Sequence, residues 1–179
     1  RDRTDRRTGM SSALLERLSP RSVLIGVAAV AVAAVGAALY GQHVQGMHPC
    51  PWCVLQRLLF LLIAALALVT AVLPSGWRLR LPLGGLAVGL AALCGVAAAL
   101  YQNLVAARQP SCDMTLADRI ISGLGADALL PELFEVRASC ADAAVKLFGV
   151  PYELLSCALY VLIAAAALWV MRKKKRSQR

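Results

Sequence analysis

The tetrapeptide Cys50-Pro51-Trp52-Cys53, with Arg57 one helical turn further on, is the part of this chain best equipped for chemistry. A bridge across CxxC closes too small a loop to restrict the unfolded chain much, and this spacing recurs in thiol redox motifs. Cys53 stands at the head of an apolar run, where the unpaired N–H groups and dipole of a helix start favour negative charge. Arg57 is four residues on, hence on the same helical face and about 6 Å deeper. Its charge is costly at a membrane boundary, which marks a functional candidate; a side chain snorkelling to the interface is the plain alternative. A vicinal thiol pair at a membrane surface can trade two electrons with soluble partners on one side and a lipid-soluble acceptor on the other. The guanidinium fork can hold the carbonyl oxygen of a quinone beside Cys53 and stabilise charge arriving there. Gln56 can add a weaker hydrogen bond.

The other four cysteines divide by position. Cys94 and Cys157 lie inside apolar helical stretches and read as small packing groups. Cys112 and Cys140 fall, with Cys50 and Cys53, in or at the border of two loops on one side of the membrane. In an oxidising compartment an even set of four should form two disulfides. Cys50 with Cys53 is the natural first pair, leaving Cys112 with Cys140; for the latter a static staple and a redox pair are both open. A c-type haem would need histidine after Cys53, where Val54 stands. A four-thiolate zinc site would want two close pairs, and only one is close. His43 and His48 have an ambiguous spacing for shared ligation, and no metal site is assigned.

The elements that position these residues follow from charge. With 59% hydrophobic and 16% charged residues, the composition is not that of a soluble domain. Residues 23–40, 58–73, 81–107 and 154–171 carry no charge, and each is near the roughly 20 residues that a helix needs to cross the hydrocarbon. The second reaches that length by including 54–57. Lacking the alternation of barrel strands, they imply four spanning helices. The first run is too long for a signal-peptide core, and Gly41-Gln42-His43 is a poor cleavage site. The chain begins at Arg1; residues 1–9 read as a trimmed or upstream extension, with Met10 a possible start.

Basic residues set the orientation. Residues 1–21 hold six, the tail 172–179 holds six, and Arg78 and Arg80 lie between the second and third runs. The positive-inside bias places all three in the cytoplasm. Residues 41–52, without charge, and 106–150, with four basic and six acidic residues, then face outward. The net charge of +9 needs no nucleic acid; it serves orientation and anionic headgroups.

The expected fold is all-α: an antiparallel four-helix transmembrane bundle over residues 22–171, with outer loops 41–53 and 106–150, a basic N-terminal segment 1–21 and a basic tail 172–179. Residues 11–19 form a basic amphipathic lead. Pro74-Ser75-Gly76 makes a tight turn, and the fourth helix opens near Pro151. Ala29, Ala33 and Ala37, and the pair Gly85 and Gly89, read as packing faces within the bundle. In the second outer loop, Leu129, Leu130, Leu133, Phe134 and Val136 suggest a short helix on the membrane surface.

The segment His48-Pro49-Cys50-Pro51-Trp52-Cys53-Val54-Leu55-Gln56-Arg57 resembles the Pro-Cys-x-x-Cys-x-x-x-Arg segment of the disulfide bond formation protein B (DsbB) family. Ser111-Cys112-Asp113, Ser139-Cys140-Ala141 and Phe148-Gly149-Val150-Pro151 match that family's second outer loop. The resemblance covers essentially residues 22–171. It implies electron flow from a reduced periplasmic DsbA-like thioredoxin-fold oxidase to Cys112 and Cys140, then to Cys50 and Cys53, then to ubiquinone or menaquinone in a bacterial inner membrane. Within it Cys112 would form the mixed disulfide with the partner, Cys140 would exchange with Cys50, and Cys53 and Arg57 would adjoin the quinone. Two departures stand out: Pro51-Trp52 replaces a plainly apolar pair, and the third helix ends Tyr101-Gln102-Asn103 without a histidine. A vitamin K epoxide reductase-like enzyme is the rival within the class, although its active CxxC belongs late in the bundle. A non-enzymatic scaffold braced by disulfides is the rival outside it, and leaves Arg57 unexplained.

Overall fold

A computed structural model describes residues 19–74, 79–108, 114–143, 145–147 and 149–177. The amphipathic lead before Ser19, the turn beyond Pro74, Arg78, Cys112 and Phe148 lie outside them. Among the described residues, four helices are long and apolar enough to cross a membrane: α1 (Pro20–Val44), α2 (Pro51–Val72), α3 (Arg80–Leu104, continued by a 3₁₀ turn Ala106–Arg108) and, last of the described elements, α7 (Tyr152–Ser177). They form the expected antiparallel bundle.

The helices outrun the charge-free stretches because local chemistry caps them. Ser19 Oγ accepts from the Ser22 N–H and Pro20 occupies the first turn of α1, where a missing N–H costs nothing. Cys50 caps α2 in the same way, its sulfur accepting from the Cys53 N–H at 3.3 Å with Pro51 in the first turn. The redox tetrapeptide is therefore the N-terminus of a helix. The last helix, α7, opens at Tyr152, beside Pro151 as expected; Pro151 itself pairs with Lys146 in a short hairpin of β1 (Lys146–Leu147) with β2 (Val150–Pro151). Gly149, at φ 83°, allows that tight reversal.

Among the described residues, the loop between α3 and α7 holds three short helices: α4 (Leu116–Gly123), α5 (Ala126–Leu129) and α6 (Pro131–Phe134). The apolar run from Leu129 to Val136 is thus broken at Leu130, since a residue before proline is pushed out of the helical region; Leu130 has φ −138° and ψ 71°. The best-formed element is instead α4, closed by a reciprocal capping box between Thr115 and Asp118.

The main core runs along the bundle axis through Leu24, Ala28, Ala31 and Val35 of α1, Ile63 and Ala67 of α2, Val88 and Ala92 of α3, and Tyr160, Ile163 and Ala167 of α7. The expectation for α1 is corrected here: Ala29, Ala33 and Ala37 are exposed, and the stripe beside them does the packing. Four-residue spacing exists on every face of a helix, and the position of α2 decides which one is buried. Gly85 and Gly89 do pack within the bundle, against Met171 and Ala167 of α7. The helices also approach closely at Gly84, where an added Cβ would meet the Thr70 side chain, and at Gly95, where it would meet the Tyr160 ring. That ring stacks on Phe60 at 4.2 Å, and its hydroxyl donates to the Gln56 carbonyl at 2.8 Å.

A second apolar cluster caps the CxxC end of the bundle and fastens the loop: Trp52, Val54, Leu55, Ala98, Ala117, Ile121, Phe134 and the two cysteines Cys50 and Cys140. Burying a side chain such as Ile121 contributes roughly 1.5–3 kcal/mol, so α4 and α6 are anchored by a few such residues. Of the neighbouring helices, α3 and α7 pack most extensively and α1 and α7 least. This leaves a seam.

Candidate active site

Two backbone hydrogen bonds bring the distant loop to the CxxC motif. The N–H groups of Arg137 and Ala138 both donate to the Pro49 carbonyl, at 3.0 and 3.3 Å. Cys140 follows in a turn tied by Ser139 and Asp142 and is buried in one apolar cluster with Cys50. Cys50 has no exposed surface, and Cys53 Sγ lies 2.9 Å from its sulfur. All the described cysteines are thiols. The hydrogen bonds that Cys50 makes to Cys140 and then Cys53 push its own proton affinity up, reinforced by burial. The same Cys50 hydrogen bond draws Cys140 below the ordinary thiol value, against the opposing effect of its burial. Among these two, Cys50 keeps its proton and Cys140 is the readier thiolate.

Cys53 opens away from this pair onto a cavity of about 630 Å³ in the seam between α1 and α7, a size suited to a small ligand. Ala34 and Tyr40 of α1, Phe60 of α2, and Leu155 and Leu159 of α7 give it apolar walls; Arg57, Gln102, Tyr152 and Glu153 supply polar groups. Arg57 is only 5% exposed and does not snorkel. Its Nη1 donates to Gln42 Oε1 at 2.7 Å and to the Leu133 carbonyl at 3.1 Å, joining α1 and α6, while its Nε is buried without a partner. Gln56 also lines the cavity, and its amide is engaged there. It donates to Gln102 Oε1 at 2.7 Å, and Gln102 Nε2 donates to Cys53 Sγ at 3.2 Å.

With this geometry in hand, the comparison with known proteins is decisive. The model of the family described as "Disulfide bond formation protein DsbB" matches residues 20–170. The chain belongs to the DsbB family. It is similar to disulfide bond formation protein B of Ralstonia nicotianae, 31% identical over 162 residues that span 87% of this chain and 96% of the relative. That of Aromatoleum aromaticum is 31% identical over 160 residues, spanning 88% and 95%, and that of Burkholderia thailandensis 30% over 172 residues, spanning 93% and 100%. This DsbB-family chain is accordingly a multi-pass membrane protein of the disulfide-forming oxidoreductase class.

Of the site residues expected from sequence, the structure gathers Cys50, Cys53, Cys140 and Arg57 at one end of the bundle; Cys112 lies outside the described residues. His43 stands apart from the thiols, its Nε2 3.6 Å from a Glu132 carboxylate oxygen. Sequence reasoning missed Gln42, Tyr152 and Glu153, and passed over Gln102 as the neighbour of an absent histidine. Their common signal was available: polar residues at the outer ends of otherwise apolar spans, on the side where the CxxC lies. Trp52 is buried against Tyr101, with ring centroids 4.6 Å apart, and its indole Nε1 has no partner.

Proposed function

We propose that this DsbB-family chain reoxidises a periplasmic DsbA-like thioredoxin-fold oxidase and passes the electrons through Cys112–Cys140 and then Cys50–Cys53 to a membrane quinone, ubiquinone or menaquinone. It does so in the bacterial inner membrane, with both termini cytoplasmic. The observation that carries the reading is the gathering of the sulfurs: Cys140 from the loop and Cys50 share one buried cluster, and Cys53, 2.9 Å from Cys50, opens onto a cavity beside Arg57.

The residues present fit a quinone. A buried Nε on Arg57 lacks a partner, the walls are apolar, and a quinone carbonyl needs hydrogen-bond donors. Arg57 is the donor best placed to hold it. When bound, the quinone supplies a two-electron, two-proton acceptor.

The chain's own groups then divide the work. Cys140, the readier thiolate, attacks the Cys50 sulfur of an oxidised Cys50–Cys53 pair: the Cys140–Cys50 bond forms, the Cys50–Cys53 bond breaks and Cys53 leaves as the thiolate. Cys112 then attacks Cys140, forming the Cys112–Cys140 bond and releasing Cys50. Gln102 holds the Cys53 sulfur toward the cavity, and Gln56 holds Gln102. Arg57 keeps a fixed positive charge where negative charge develops, in a water-poor site where such preorganised donors count most. Trp52 and Tyr101 cover the thiol pair from one side.

A Cys112→Ser variant tests the relay. It should lose oxidation of the thioredoxin-fold partner while quinone still oxidises Cys50 and Cys53. A disulfide-braced scaffold requires no such split, and normal partner turnover in that variant would refute the reading.

A further inference from the structure

The end of α3 carries two adjacent amides that reach opposite walls of the cavity. Gln102 donates to Cys53 Sγ at 3.2 Å, and Asn103 donates to Glu153 Oε1 at 2.9 Å. Glu153 is 4% exposed, lines the cavity and has no other hydrogen-bond or ion-pair partner among the described residues. A carboxyl enclosed in this way and held by an amide instead of a cation is costly to keep, and the thiol chemistry derived above does not use it.

We infer that Glu153, oriented by Asn103, is the proton carrier of the acceptor cavity, moving a proton from the Cys50–Cys53 dithiol to the reduced acceptor. The inference rests on the quinone-linked reading above. In the reaction it serves, two S–H bonds break and one S–S bond forms; two electrons and two protons pass to the quinone. Glu153 takes up one of those protons and gives it on, ending as it began.

The other titratable groups lining the cavity from the elements packed there are Tyr40, His48, Cys53, Arg57 and Tyr152. Tyr40 and His48 are exposed. Cys53 is a source of the electrons, and a guanidinium does not give up its proton in proteins. Neither Tyr152 nor Glu153 needs to leave α7 to reach the cavity. The carboxyl is preferred because it is buried and already oriented. Positioned proton transfer is worth roughly 10²–10⁴-fold in rate.

The test uses the full-length protein in nanodiscs with Glu153→Gln, Glu153→Asp and Tyr152→Phe. Single-turnover reduction of a short-chain ubiquinone by the reduced protein is followed between pH 5 and 9, and infrared difference spectra are taken as diamide, without quinone, oxidises the thiols. Glu153→Gln should slow quinone reduction about 10²-fold at pH 7, Glu153→Asp should restore part of it, and Tyr152→Phe should slow it less than Glu153→Gln does. The wild-type infrared spectrum should contain carboxyl bands that vanish in Glu153→Gln, while diamide oxidises that variant at the wild-type rate and so reports an intact dithiol. An active wild type with an unimpaired Glu153→Gln variant and unchanged bands overturns the role of Glu153 alone, as does a loss confined to Tyr152→Phe. A wild type that reduces no quinone overturns the underlying reading as well.

Discussion

Replacing Arg57 by methionine keeps the apolar stem and deletes only the guanidinium. Two hydrogen bonds are lost, to Gln42 Oε1 and to the Leu133 carbonyl. Bonds to a charged group are worth about 1.5–3 kcal/mol each, but the substitution also removes a buried cation whose desolvation costs several kcal/mol. These terms oppose, so the stability change should stay within about 2 kcal/mol, a shift of a few degrees in Tm for a chain of this size. The unpartnered Nε has nothing to lose in the resting protein; its value appears only when an acceptor carbonyl arrives. Removing one such donor costs roughly 10²–10³-fold in comparable oxyanion sites. Quinone reduction by the Arg57→Met protein, followed by quinone absorbance at limiting quinone, should therefore fall at least about 10²-fold while thermal unfolding hardly moves. Arg57→Lys, which keeps the charge but not the planar fork, should retain part of the activity. Wild-type rates in Arg57→Met would show that the guanidinium only ties α1 to α6, and the acceptor would have to bind elsewhere.

Other outcomes follow from the same structure. Cysteines introduced at Gly123 and Arg172 should respond oppositely to an impermeant maleimide in intact cells, with only the Gly123→Cys protein labelled from outside; the reverse would overturn the orientation. Gly95→Val pushes a side chain into the Tyr160 ring and should destabilise by about 1–3 kcal/mol, read as a lowered Tm, whereas Gly123→Ala, with open space around it, should be neutral. In the reduced protein Cys140 should be alkylated with a pH midpoint below the ordinary thiol value of about 8.5, and Cys50→Ala should raise that midpoint by removing the hydrogen bond that lowers it. Since folding lowers the Cys140 value, its contribution to loop docking is full above the ordinary thiol value and is lost as pH falls through the lowered one; Cys50, raised by folding, contributes below its ordinary value and loses that only in more alkaline solution. An unchanged midpoint in Cys50→Ala would contradict this coupling.

The bundle was legible in the sequence because charge is nearly absent from four stretches of membrane length, and because the CxxC motif and Arg57 are separated by one helical turn. Such features are local. What escaped is what depends on how one helix is rotated against another. Ala29, Ala33 and Ala37 have the spacing of a packing stripe, yet α2 lies against Leu24, Ala28, Ala31 and Val35 instead. Gln42 meets Arg57 from 15 positions away, Gln102 meets Gln56 from 46, and Asn103 meets Glu153 from 50; no periodicity within one helix encodes those partners. In the outer loop the apolar residues indicated helix, but Pro131 divides their run, and the capping box at Thr115 and Asp118 places the best-formed element earlier. The approach of Cys140 to Cys50 depends on the Pro49 carbonyl receiving two loop N–H groups, a contact with no signature in either segment. For the thiols, the resemblance to the DsbB family supplied from sequence the partnership that spacing alone left open.

The central claim is that electrons cross from the loop cysteines to the membrane cysteines through Cys140 and Cys50. Its most direct measurement is the disulfide map, by mass spectrometry of acid-quenched peptides, of a Cys53→Ser, Cys112→Ser double variant after mild oxidation. With the competing sulfurs removed, Cys140 and Cys50 should join in one interloop disulfide in most molecules. Reduced Cys140 and Cys50 under conditions that oxidise the wild-type thiols would contradict the relay.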